Sequence, residues 1–141
     1  MENQFDVRDN DPAGNERNEK TVFDPADFLM RYEGDLPVAL EVLQAYTEDL
    51  AGHLSRMETY LDEEKTAAIK EEAHSLKGAS GYVSATEIYE LAQSLITDVE
   101  EKDLNTYRQE VRKLKAAAGQ FCAVTQAWQK TQVEASQETN P

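Results

Sequence analysis

Seven consecutive residues of this chain could do chemistry together: His74-Ser75-Leu76-Lys77-Gly78-Ala79-Ser80. A histidine imidazole that is neutral near physiological pH is a good nitrogen nucleophile. Lysine ammonium groups offset the charge on a phosphoryl group and on its transition state. A glycine beside the nucleophile removes the side chain that would crowd an incoming partner, although inside a helix it costs about 1 kcal/mol relative to alanine. The chemistry such a set suits is phosphoryl transfer through His74. The sequence has no phosphate-binding glycine loop and no cluster of carboxylates with the look of a Mg²⁺ site. The phosphoryl group would therefore arrive from one protein and leave to another.

Helical angles place these residues. The pattern predicts a helix over roughly 63–80, with Ile69, Ala73, Leu76 and Ser80 as its apolar stripe. At about 100° per residue Ala73, Leu76 and Ser80 fall within about 40° of Ile69, whereas His74 lies about 140° from it. Lys70 then lies near 100°, Lys77 near 80° and Gly78 near 180°. His74 is expected to project into solvent or into a shallow groove with a neighbouring helix. Lys70 and Lys77 stand one turn before and one turn after it, within reach of a group attached to the ring.

Other helices must hold this one. Asp24 and Pro25 suit the cap and first position of a short helix, with Phe23 and Phe28 as a hydrophobic staple and Gly34 as its stop. A long helix follows Asp35, with Pro37 in its first turn and a stripe of Leu43, Tyr46, Leu50, Leu54, Met57 and Leu61. Ser84-Ala85-Thr86-Glu87 has the form of a capping box that opens a helix with the stripe Ile88, Leu91, Leu95 and Val99. Asp103 is a candidate cap for the last helix, whose stripe is Leu104, Tyr107, Val111, Leu114, Ala118, Phe121, Thr125 and Trp128. No strand alternation competes. The expected fold is all-α: an antiparallel up-down four-helix bundle over residues 21–130, with a short additional N-terminal helix capping one end. Residues 1–20 read as a polar, disordered lead-in and residues 131–141 as a flexible tail.

Composition narrows the function classes. The chain has 28 acidic and 14 basic residues, a formal charge of −14. Such a surface repels nucleic-acid phosphate and anionic lipid, so neither nucleic acid nor membrane is an expected partner. One cysteine, Cys122, and two histidines cannot form an internal disulfide or a common structural zinc site. No apolar run approaches membrane-spanning length and the N-terminus lacks a signal-peptide core, so the expected location is the cytoplasm.

The run His74 to Ser80, with the helical context from about Phe23 to Trp128 and the Leu36-Pro37 start of the long helix, resembles the signature of histidine-containing phosphotransfer (HPt) domains of multistep phosphorelays. The resemblance implies a four-helix bundle in which His74 takes a phosphoryl group from a receiver-domain aspartate, or passes one to it. It implies response-regulator receiver domains and a hybrid histidine kinase as partners. It implies no cofactor on this chain, with Mg²⁺ on the partner receiver domain, and a monomeric phosphocarrier rather than an enzyme with its own turnover. Lys77 and Gly78 match the motif directly, and Ser80 matches its small residue that lets the helix pack closely. Lys70 matches no strict motif position; its role comes from the angles above. Ser84 stands where the family often has glycine. Ile96 stands where many members have a glutamate or glutamine that can hydrogen-bond the imidazole, and Gln93, one turn earlier, is the substitute.

Two other classes compete. An interaction-only bundle that sequesters a receiver or kinase would not need the histidine. A phosphatase acting on a receiver would need an acidic or amide side chain aimed at a water, and no clear pair stands out. His53, between Leu50 and Leu54, reads as a half-buried histidine at the core edge, and Cys122 as a small buried hydrophobe.

Overall fold

A computed structural model of the chain describes residues 19–97 and 102–138. Among the described residues six helices follow in order: α1 (Glu19–Val22), α2 (Pro25–Arg31), α3 (Leu36–Asp62), α4 (Thr66–Gly81), α5 (Thr86–Ile96) and α6 (Leu104–Glu138). The four long ones close a ring in chain order. α3 packs on α4, α4 on α5, α5 on α6, and α6 returns to α3. Short connections between successive helices make neighbours antiparallel, so this is an up-down four-helix bundle.

The apolar stripes face its axis. On α4, Ile69, Ala73, Leu76 and Ser80 are all buried. On α3, Leu43, Tyr46, Leu50, Met57 and Leu61 are buried, and Leu54 packs at the margin. α6 contributes Tyr107, Val111, Leu114, Ala118 and Phe121, with Leu104 and Trp128 partly buried against the core. On α5, Ala92 takes a core place beside Ile88 and Leu95, while Leu91 is half-buried. Val99, expected to extend that stripe, lies outside the described residues, as do residues 1–18 and 139–141.

Helix ends follow local chemistry. The Asp24 carboxylate accepts from the Asp27 N–H at 3.1 Å, and Pro25 opens α2. Phe23 packs on Phe28 with ring centroids 5.5 Å apart, as the staple predicts. Both rings also meet Trp128 of α6, which seats the short helices over one end of the bundle. Asp35 caps α3 through the Val38 N–H at 3.2 Å, and Asp103 caps α6 through the Thr106 N–H at 2.8 Å.

Three boundaries differ from expectation. α1 begins at Glu19, inside the segment read as a lead-in, because Val22 and Phe23 are buried and draw the chain onto α5 and α6. α6 continues to Glu138, past residue 131 where a tail was expected, since nothing between Trp128 and Glu138 is a glycine or proline that would break it. The capping box at Ser84 does not form. Ser84 adopts a left-handed φ of 56°, and the residue before α5 is Ala85, with no side-chain cap. The Ser84 hydroxyl instead donates to the Asp27 carboxylate of α2 at 2.6 Å. The left-handed backbone explains why glycine would suit this position.

Candidate functional site

α4 presents His74 on its outer face. The ring is exposed, while Ala73 and Leu76 on either side are buried. Gly78, one turn on, is exposed, and a Cβ built there meets no atom within 4 Å. Neither packing nor backbone conformation within the bundle requires a glycine here. Gly119 of α6 is equally unhindered, so openness alone marks no site; Gly78 differs in standing one turn from an exposed imidazole.

Lys77 flanks the same face and is half-buried. Its Nζ lies over the Tyr89 ring of α5, 5.3 Å from the centroid. Among the described residues it has no carboxylate partner. Lys70 is half-buried one turn before His74.

Ser80 is fully buried and belongs to the core, not to the exposed face. Its hydroxyl donates to the Leu76 carbonyl at 2.7 Å and accepts from the Tyr46 hydroxyl, also at 2.7 Å. With the Ser80 proton given to Leu76, Tyr46 is the donor of that contact, and burial raises its phenol above the ordinary value. The small side chain thus lets α3 and α4 approach, tied by one buried hydrogen bond.

Gln93 and Ile96 are on α5, across the groove. The antiparallel pairing that sets Lys77 against Tyr89 brings Gln93, one turn on, to the level of His74, one turn back. The Gln93 amide N–H donates to the Thr97 hydroxyl at 2.9 Å, within its own helix. Ile96 packs against the core. Among the described residues no side chain hydrogen-bonds the His74 ring. The structure therefore brings His74, Lys77 and Gly78 together on one face, places Ser80 beneath it, and leaves Gln93 bonded elsewhere.

Two clusters escaped the sequence reading. His53 of α3 contacts the Glu72 carboxylate of α4 through Nδ1, and Arg56 reaches the same oxygen at 2.8 and 3.0 Å. Gly52 makes room for this: a Cβ there would stand 3.1 Å from the Arg56 guanidinium. Burial alone would raise the Glu72 carboxyl, but hydrogen bonds from Arg56 and His53 outweigh it and hold the group below its ordinary 4.5. The second cluster joins Asp27, Arg31 and Ser84 beside the turn between α4 and α5. Each cluster joins helices through residues far apart in sequence, Glu72 to His53 and Arg56, Ser84 to Asp27 and Arg31, and helical periodicity carries no trace of those contacts. Tyr89 was also missed; only the register of the hairpin formed by α4 and α5 pairs it with Lys77.

Among the described residues no group of three or more histidine, cysteine or acidic side chains could hold a metal ion. No described helix is long and apolar enough to cross a membrane.

Comparison with known proteins agrees with this architecture. The crystal structure of the HPt domain from a Shewanella Hpt sensor hybrid histidine kinase superposes with a TM-score of 0.67. The match covers 79% of this chain and 97% of that one, at 19% sequence identity, a level at which the likeness shows the fold. No curated protein matches the chain. The family model of the Hpt domain matches residues 41–123, more than half of the chain and a span that contains His74; the chain belongs to the Hpt domain family.

Proposed function

We propose that this chain is a phosphocarrier in a multistep phosphorelay, with His74 as the phosphoryl-accepting residue. One observation carries the reading: an exposed imidazole on a rigid helix, with an ammonium one turn away and an unhindered glycine beside it. In the transfer, a ring nitrogen lone pair of His74 forms the N–P bond as the P–O bond to a receiver aspartate breaks. The aspartate leaves as its carboxylate, and the ring keeps its other N–H proton. The reverse step returns the group to the same or another receiver. Lys77 offsets charge on the phosphoryl oxygens, and Lys70 lies on the other side of the ring. Gly78 admits the receiver so that donor and acceptor can lie in line. The partners are receiver domains, which bring the acidic pocket and its Mg²⁺, and a hybrid histidine kinase upstream.

The test is incubation with a phosphorylated receiver domain. Acid-labile label is expected on the chain and is expected to vanish in His74→Gln. Label persisting in that variant, or no label on the wild type with a panel of receivers, contradicts the proposal.

A further inference from the structure

The Lys77 ammonium has an aromatic face as its partner. Acidic residues outnumber basic ones two to one, 28 against 14, and several other cations are in ion pairs: Arg31 with Asp27, Arg56 with Glu72, Lys65 with Glu63, Lys102 with Glu110 and Lys115 with Glu58. Lys77 instead lies over the face of Tyr89. Tyr89 is 39% exposed, so its ring forms part of the groove wall that a partner would meet.

We infer that Tyr89 is a positioning residue for phosphoryl transfer: it fixes the Lys77 ammonium beside His74 without neutralising it. The inference rests on the phosphotransfer reading of His74. The physical distinction is between a charge partner and a quadrupole partner. A carboxylate would also hold the lysine, but it would cancel the positive charge and repel the incoming phosphoryl oxygens across a few ångströms. An aromatic face attracts the ammonium through its quadrupole and carries no net charge. The full charge of Lys77 therefore stays available to the group on His74. The flexible stem of the lysine is also restrained, which lowers the ordering cost when the phosphoryl group arrives.

Three substitutions at one position separate the possibilities. Tyr89→Leu removes the quadrupole and keeps an apolar side chain. It is expected to slow transfer at saturating receiver about three- to fivefold, the worth of one partly exposed cation–π contact. Tyr89→Phe keeps the ring and is expected to recover that loss. Tyr89→Glu supplies a carboxylate to the lysine and is expected to be slower than Tyr89→Leu. Because Tyr89 also lies on the approach face, the rate at saturating receiver must be separated from the receiver concentration at half-saturation; a positioning role moves the first. A wild-type rate in Tyr89→Leu, or a Tyr89→Glu variant faster than Tyr89→Leu, overturns the inference. An independent readout is the NMR shift of the Lys77 side-chain methylene next to Nζ. Ring-current displacement is expected in wild type and Tyr89→Phe and absent in Tyr89→Leu; its absence from wild type also overturns the inference. Failure of the His74 reading itself appears differently, as label surviving His74→Gln.

Discussion

His53 and His74 stand on adjacent helices of one bundle, and their surroundings are opposites. His53 is pressed against the Glu72 carboxylate, with Arg56 on the same oxygen, and its side chain is only 12% exposed. His74 is exposed, with a lysine and a glycine on its face and no carboxylate partner among the described residues. Glu72 sits only two residues before His74, yet two helical residues turn the chain by about 200°, so this carboxylate serves α3 while the imidazole faces out. The contrast bears on why His74 and not His53 is the proposed phosphoryl acceptor. A ring tied to a carboxylate spends a nitrogen on structure. A ring left open among cations keeps its nitrogen for a phosphoryl group.

Exchanging the two histidines in turn should give the largest contrast. His74→Gln is expected to abolish phosphoryl labelling and leave stability unchanged. His53→Gln is expected to keep labelling and to lose about 1 kcal/mol of stability, the worth of one hydrogen bond, since Arg56 still holds the Glu72 carboxylate. Label assays and urea unfolding measure the pair.

Gly78→Gln comes next. Transfer should fall roughly tenfold or more, because a long side chain keeps the receiver from the near-attack distance. Stability should rise by about 0.5–1 kcal/mol, since glutamine is the better helix former and the space is open. Unchanged transfer would remove access as the reason for the glycine.

Glu72→Ala sharpens the other side of the comparison. It strips His53 and Arg56 of their shared acceptor and is expected to cost about 1–2 kcal/mol, while labelling continues at the wild-type rate. Its pH dependence has a definite sign. Because the folded state holds Glu72 below its ordinary 4.5, the folded state binds this proton less readily than the unfolded chain. The contribution is complete above that ordinary value and is lost as pH falls through the lower folded value. Asp27 behaves likewise below its ordinary 3.8, held down by the Ser84 hydroxyl and then by Arg31. The acid limb of a stability–pH curve should therefore flatten in Glu72→Ala, and an unaltered limb would contradict the assignment.

Much of this was legible in the sequence. The stripes on α3, α4 and α6 follow a 3.6-residue period, and the same period takes His74 off the core face. The Asp24 and Asp103 caps were readable because capping is a contact over three residues. Ser84 was misread for a related reason. Ser-x-x-Glu is a local pattern, but the left-handed backbone and the distant Asp27 carboxylate claim the hydroxyl. The partners of Lys77 and His53 depend on helix register and on rotamers across the groove, which periodicity does not encode.

The smallest expected effect tests that misread residue. Ser84→Gly relieves the left-handed backbone and forfeits the hydrogen bond to Asp27, so its net change should stay within about 1 kcal/mol. Ser84→Ala keeps the backbone cost, loses the bond and should be the less stable of the two. The reverse order would show that the left-handed backbone costs little at this turn.

The central claim is that one histidine carries the phosphoryl group, and phosphorus–proton correlation NMR on the receiver-phosphorylated chain reads it directly. The account predicts a phosphorus nucleus coupled to the ring protons of His74, with the His53 ring protons unaltered. Coupling to His53, or a phosphorus signal attached to oxygen alone, would contradict it.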